Sequence, residues 1–365
     1  MLAYLHIPFC HRVCPYCSFY KHTPGSTPIG AFVDAVAKEA ASRLPQLAEM
    51  PRTLYLGGGT PSMLSPTHLE RLFGALRERL DFDRLEEVTM EANPATFDLS
   101  KARLFRELGV TRVSLGIQSF TPHVLKILGR EHDPEQAAEA VVILREAGMP
   151  SINIDLMFSI PGQSRDDWKQ TLERTIALKP DHVSAYNLTY EEDTAFFESL
   201  QRGEMNADED RDASFFHLAH RLLTEAGFDH YETSNYAQPG HHSSHNRGYW
   251  RGEDYLGLGP SAVSTIGRVR SQNVADTARY VEMVNAIGHA ITSSEAIDAD
   301  AWRIERIALG LRTREGIALD GLETSAATVQ ALVEAGYAEV DENQHRLVLT
   351  ESGAALVDPI AGELV

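Results

Sequence analysis

The sequence predicts an α/β fold built on a parallel sheet. Short apolar runs alternate with segments of helical periodicity through the first half of the chain, a pattern that implies parallel strands joined by crossover helices. Glycines stand where two of those helical segments should stop, at Gly109 and Gly148. Chemistry-bearing residues recur just after the strand-like runs, where such sheets gather functional groups. Spacing alone fits a partial (β/α)6 barrel and an open sheet equally well.

Strands are expected at 2–7, 53–56, 87–91, 112–118, 152–158 and 182–187, with helices at 29–43, 66–79, 100–108, 134–147 and 165–178 between them. Residues 190–290 are less regular, and 233–260, rich in Gly, His, Ser and Asn, predicts a long functional loop. Beyond Ala296 a helix is expected at 301–311 and another at 329–335, closed by Gly336. Two short strands, 337–340 and 346–349, meet at Asp341-Glu342-Asn343-Gln344, and Thr350 caps a last helix. Helices followed by a hairpin predict a small winged-helix-like α+β unit. It is not basic, so a packing or lid role is expected rather than DNA binding. The expected organisation is thus 1–195, 196–295 and 296–365.

A net charge of −19 leaves no basic patch to neutralise phosphates, which excludes a nucleic-acid partner and gives no attraction to anionic lipid. No apolar run reaches the roughly 18 residues of a membrane span, and Met1 enters the first strand without a leader-like segment. A cytoplasmic protein is expected.

The sharpest local feature is Cys10-His11-Arg12-Val13-Cys14-Pro15-Tyr16-Cys17, a C-x3-C-x2-C run holding all three cysteines of the chain. Three thiols cannot form an even disulfide set. A short loop can wrap them around one face of a [4Fe–4S] cube and leave the fourth iron open to a small molecule. The competing reading is structural zinc completed by His6 or His11; no second ligand knuckle follows to support it.

This run, preceded by Tyr4-Leu5-His6-Ile7-Pro8-Phe9, resembles the radical S-adenosylmethionine (SAM) superfamily. Within it, it is similar to the group of oxygen-independent coproporphyrinogen dehydrogenase (HemN) and the heme chaperone HemW. The resemblance decides for the barrel: a partial (β/α)6 radical SAM barrel with a C-terminal winged-helix-like domain. It implies that Cys10, Cys14 and Cys17 hold the cluster, that SAM chelates the open iron, and that reduction can cleave SAM to a 5′-deoxyadenosyl radical.

The resemblance also assigns SAM contacts in chain order. Gly58, Gly59 and Thr60 match the segment that meets the SAM amino group, though a triple glycine by itself is often only a tight turn. Glu91, Gln118, Arg130 and Asp155 match further contacts. Carboxylates accept from ribose hydroxyls or the amino group, and arginine pairs with the methionine carboxylate. Asp155 stands out on its own, because it interrupts an apolar strand and a carboxylate there needs a partner. Tyr4 and Tyr16 are implied to line cluster and cofactor; for Tyr4, core packing is the bland alternative.

The run His241-His242-Ser243-Ser244-His245-Asn246-Arg247-Gly248-Tyr249-Trp250 reads equally as a metal site, a solvated loop or a source of a heme ligand. His245-Asn246-x-x-Tyr249-Trp250 resembles the motif that marks HemW, which implicates His245 in heme handling. Tyr249 and Trp250 could stack on a porphyrin or pack the loop. The dehydrogenases carry a fourth cysteine where Phe19 stands, and an extra segment ahead of the first strand. The expectation is therefore a heme chaperone delivering heme to an acceptor hemoprotein, a membrane-bound acceptor being compatible with this. Coproporphyrinogen dehydrogenation, or another radical SAM reaction, is the enzymatic alternative.

Overall fold

The computed structural model describes residues 1–365 except 26, 321, 323–325 and 342. Six strands alternate with helices as expected: β1 (Leu2–Ile7), β2 (Thr53–Gly58), β3 (Glu87–Ala92), β4 (Arg112–Gln118), β5 (Ser151–Phe158) and β6 (His182–Asn187). The helices between them are α1 (Ile29–Arg43), α2 (Pro66–Arg77), α3 (Leu99–Glu107), the short α4 (Pro122–Ile127), α5 (Pro134–Glu146) and α6 (Arg165–Ala177). Local chemistry sets their ends. Asp133 with Gln136, and Ser164 with Asp167, form capping boxes at the starts of α5 and α6. Gly109 and Gly148 leave α3 and α5 at φ +93° and +75°, a left-handed turn that favours glycine.

Alternation along each strand divides the sheet into two faces. Ala3, Leu5, Ile7, Leu54, Leu56, Val88, Met90, Val113, Leu115, Ile152, Ile154 and Val183 pack into the main apolar core with the helices. The intervening residues, among them Tyr4, Tyr55, Glu91, Ser114, Asp155 and Tyr186, line cavities on the inner face. A polar inner face is what makes room for a ligand.

The expected loop over 233–260 is not a loop. After α7 (Ala195–Gln201) and α8 (Glu209–Glu225), the chain forms β7 (Asp229–Glu232), β8 (Asn235–Ala237), α9 (Ser244–Trp250) and β9 (Tyr255–Leu258). β10 (Val263–Ile266), β11 (Val269–Asn273), α10 (Thr277–Ile287) and β12 (Ile291–Ala296) follow. Within that stretch β7, β8, α9 and β9 have only three to seven residues, too short for a period to show, and their glycines serve packing. A Cβ on Gly257 would lie 2.2 Å from the Val263 carbonyl oxygen, and one on Gly248 would lie 2.6 Å from the Leu2 side chain.

All twelve strands form one sheet, in the order β12-β11-β10-β9-β1-β2-β3-β4-β5-β6-β8-β7. β9 returns to pair parallel with β1 (Leu2 opposite Tyr255), extending the parallel stretch beyond the six strands read from the sequence. The ends are antiparallel, and the sheet does not close: β12 and β7 stand at its edges. The expected partial barrel is therefore open.

The C-terminal part has its own small core around Ile307, Leu311, Ile317, Leu347, Ile360 and Leu364. α11 (Ala299–Leu311), β13 (Ile317–Ala318), α12 (Ala326–Glu334), β14 (Ala338–Asp341) and β15 (Arg346–Leu349) follow in chain order, β14 and β15 forming the expected hairpin in a sheet β13-β15-β14. Glu342 of the expected hairpin turn lies outside the described residues. Thr350 caps the following α13 (Glu351–Ala354), its hydroxyl accepting from Gly353 N–H, and α14 (Val357–Leu364) ends the chain. No helix among the described residues is long and apolar enough to cross a membrane.

Candidate functional site

The loop after β1 is folded back on itself. Cys10 N–H donates to the His22 carbonyl at 3.0 Å and His22 N–H to the Pro8 carbonyl at 2.9 Å, so both ends of the cysteine segment are tied together. The glycine segment laces onto the same strand end: Gly59 N–H donates to Ile7 O and Thr60 N–H to Phe9 O, each at 2.8 Å. A Cβ on Gly59 would come within 2.7 Å of Phe9 O, and Gly58 sits at φ +105° against the His6 ring. These glycines thus have a packing reason that spacing alone did not reveal.

Together these segments border a cavity of about 380 Å³ at the carboxyl ends of β2–β6. It is lined by Cys10, Cys14, Cys17, Tyr16, Gly58, Gly59, Thr60, Glu91, Gln118, Arg130 and Asp155. The structure therefore gathers every expected cluster and SAM residue except Tyr4. Tyr4 faces a neighbouring chamber, its hydroxyl 3.0 Å from His6 Nδ1.

The donor set fits an iron–sulfur cluster. Three free, half-buried thiols share one wall, with Thr60 Oγ1 3.6 Å from Cys10 Sγ and Arg130 Nη1 3.7 Å from Cys14 Sγ. Burial pushes the Cys10 thiol up to about 11 and raises Cys17 as well. No group of three such side chains among the described residues is arranged around a single ion; a four-iron cube spaces its thiolates more widely than one metal ion does.

The opposite wall carries the carboxylates. Glu91 accepts from the Tyr55 hydroxyl at 2.9 Å and from Gly58 N–H at 3.0 Å; burial, with Asp155 adding, raises it to about 7. Asp155 has the partners its place in an apolar strand demanded: Ser114 Oγ at 2.9 Å and Asn153 Nδ2 at 2.7 Å. Burial raises it too. Gln118 sits at φ +71° beside a register shift in β4, a backbone state that costs energy in a non-glycine residue and marks a positioned side chain. Arg130 is held by the Gly116 carbonyl while its Nε has no partner. Half-buried acids facing an arginine and thiols suit a zwitterionic cationic ligand.

His245 lies at the other end of the strands. α9 plugs their amino ends: the Glu87 carboxylate, on the first residue of β3, accepts from Ser244 N–H at 2.9 Å, Ser243 Oγ at 3.1 Å and His245 N–H at 3.3 Å. An anion there also suits the positive end of a helix. His245 is thus not on an exposed loop but 1% exposed. Its Nδ1 is 2.8 Å from Thr53 Oγ1, and its Nε2 has no partner. Burial, with Arg52 adding, lowers its pKa to about 3, which keeps the ring neutral. Tyr249 lines the chamber beside it, whereas Trp250 faces the C-terminal part, where Arg312 lies 5.8 Å from its ring centre. His241 and His242 bond Ser151 and Asp229 and play structural parts.

Sequence reasoning missed Tyr55, which joins the two ends. Its hydroxyl bonds Glu91 and its ring lies 5.0 Å from that of His245. It also missed a second link, running Asp155–Asn153–His182–Tyr231–Ser243 through hydrogen bonds of 2.6–3.2 Å. The signal was present: Tyr55 stands between Leu54 and Leu56, and Asn153 between Ile152 and Ile154, each a polar group set among apolar neighbours of a strand.

Comparison with known proteins shows the family. The radical SAM superfamily profile matches residues 4–175. A Mycobacterium tuberculosis protein named "Heme chaperone HemW" is 37% identical over all of this chain and 94% of its own length. The Lactococcus lactis protein of that name is 36% identical over 88% of this chain and 84% of its own. The chain belongs to the radical SAM superfamily, in its HemN/HemW group. Membership of this family implies SAM and a [4Fe–4S] cluster. The solved structure of Escherichia coli coproporphyrinogen III oxidase (HemN) superposes with a TM-score of 0.84 over 100% of this chain and 89% of that one, at 24% identity, and so shares the fold.

Proposed function

We propose that this protein is a heme chaperone that binds heme through His245 and passes it to an acceptor hemoprotein. The observation that carries the reading is the His245 imidazole: neutral, held at Nδ1, and buried with Nε2 unpartnered beside a cavity. Unsatisfied buried nitrogens are rare in folded proteins and call for an explanation. The relatives named for heme chaperoning match across nearly the whole chain, α9 included.

In this reading Cys10, Cys14 and Cys17 hold the cluster. Gly58, Gly59, Thr60, Glu91, Gln118, Arg130 and Asp155 seat SAM, with Tyr16 against the cluster loop. Tyr4 is reassigned to the heme side. Bound together, cluster and SAM supply reductive SAM cleavage or a structural and regulatory element. The chain's own part is to orient SAM between its carboxylates and Arg130 and to keep the thiols in one half-buried wall. Free clustered thiols fit a reducing cytoplasm, and any contact with a membrane-bound acceptor is peripheral.

The test is a hemin titration of anaerobically reconstituted protein, followed at the Soret band, with His245→Ala alongside. Saturable binding weakened about tenfold or more in the variant, a difference of about 1.4 kcal/mol or greater, supports the reading. Binding unchanged by the variant moves the ligand elsewhere. No specific binding defeats the chaperone reading and favours porphyrinogen turnover.

A further inference from the structure

We infer that His182 is a positioning residue for SAM, fixing the Asn153 amide in the one orientation that holds the Asp155 carboxylate in the cluster cavity. This deepens the assignment of Asp155 to SAM and rests on it.

The relay is short and closed to solvent. His182 opens β6 and pairs in register with Asn153 of β5; Asp155 stands two residues further along β5, on the same face as Asn153. His182 is wholly buried and Asn153 almost so. His182 Nδ1 lies 2.6 Å from Asn153 Oδ1, and Asn153 Nδ2 lies 2.7 Å from Asp155 Oδ1. On the other side, His182 Nε2 lies 2.8 Å from the Tyr231 hydroxyl, which accepts from Ser243 N–H at 3.2 Å.

The two ends of this chain fix its direction. A carboxylate accepts, so Asn153 presents Nδ2 to Asp155 and Oδ1 to His182. An amide oxygen accepts, so His182 carries its proton on Nδ1 and offers the Nε2 lone pair to Tyr231. The backbone N–H of Ser243 donates, which leaves the Tyr231 proton to point at Nε2. Every donor thus aims toward Asp155, and each bond polarises the next. The arrangement requires a neutral imidazole. Burial, with Arg112, His242 and His241 adding, holds the His182 pKa well below the usual histidine range and so supplies one.

The neighbouring hydroxyls do not do this work. Ser114 Oγ lies 2.7 Å from Asn153 Nδ2, and Ser184 Oγ lies 3.0 Å from Nδ2 and 3.2 Å from Oδ1. A hydroxyl donates or accepts, so both serines tolerate either orientation of the amide. The choice falls to Asp155 and His182, and an Asp155 whose charge is shared with a ligand relies on His182. With that N–H gone the amide can reverse and set its oxygen against the carboxylate.

The experiment measures SAM binding by equilibrium dialysis on reconstituted full-length protein, comparing wild type, Asp155→Asn, His182→Phe and His182→Asn, with cluster absorbance reporting integrity. Phenylalanine keeps the volume of the ring and removes both nitrogens. Asparagine is smaller and can place an N–H where Nδ1 stood. The expected result is SAM binding about tenfold weaker in His182→Phe and within about threefold of wild type in His182→Asn, with equal cluster content. A packing role gives the opposite order, and that order, or equal loss in both variants, overturns the inference. Wild-type affinity in His182→Phe beside a loss in Asp155→Asn also overturns it, while the SAM assignment stands. Wild-type affinity in Asp155→Asn defeats that assignment and the inference with it. If His182→Phe fails to fold, nitrogen NMR of histidine-labelled wild type decides, the His182 signals being those absent from His182→Asn. An Nδ1–H tautomer whose signals move on addition of SAM supports the inference. An Nε2–H tautomer, or signals that SAM leaves unmoved, overturns it.

Discussion

Gly248→Ala tests whether α9 is a tightly fitted plug. Gly248 is buried on α9, and an added Cβ would stand 2.6, 2.7 and 3.1 Å from the Cδ2, Cδ1 and Cγ atoms of Leu2. Leu2 has little freedom to yield: it is fully buried, and its strand is paired on both sides, with Thr53 and Tyr255 as its partners. Overpacking of this kind costs about 1–3 kcal/mol. Alanine recovers up to about 1 kcal/mol of helix propensity in exchange. The expected net effect is a loss of about 1–2 kcal/mol, read from the midpoint of urea unfolding. Displacement of α9 also moves His245, three residues earlier on the same helix, so hemin affinity falls. SAM binding, at the opposite ends of the strands, does not. A variant about 1 kcal/mol more stable than wild type, with unchanged hemin binding, would refute the reasoning and show that the plug is loose.

Replacing any one of Cys10, Cys14 or Cys17 with Ala is expected to abolish the broad iron–sulfur absorption after anaerobic reconstitution; full retention in all three variants removes the cluster assignment. Glu91→Gln and Asp155→Asn each delete a charged acceptor worth about 1.5–3 kcal/mol, so SAM affinity measured by dialysis should fall roughly 10- to 100-fold while cluster content stays constant. Equal affinity would leave both acids as packing partners. Because burial holds His245 near pKa 3 rather than 6.5, hemin affinity should change less than about twofold between pH 8 and 5.5, where an ordinary histidine would lose about tenfold. A tenfold loss over that range shows that the ring is solvated. The same group affects stability. Its folded pKa lies below the unfolded value, so the unfolded chain takes up the proton first, and its contribution, full above 6.5, is lost as pH falls toward 3.

The parallel sheet, its crossover helices and the cluster loop were legible from residues 1–190 because their signals are local. Apolar runs alternating with helical periodicity, glycine stops at Gly109 and Gly148, and three cysteines within eight residues are all properties of short windows. The positions of Glu91, Gln118 and Asp155 were legible by resemblance, and the strand-end rule explains why they converge. Tertiary structure decided what lies between 190 and 296. β8 and β9 have three and four residues and α9 has seven, too few for a period to emerge, and their stability comes from partners far away in sequence. Glu87 anchors α9 from 156 to 158 residues away, and Thr53 orients His245 from 192 residues away. His245 could be picked out as a motif from the sequence. That it lies buried, neutral and half-satisfied at the foot of the barrel follows only from the return of β9 to the free edge of β1 and the closing of α9 beneath the strands, because burial and hydrogen-bond satisfaction depend on contacts that the local sequence does not contain.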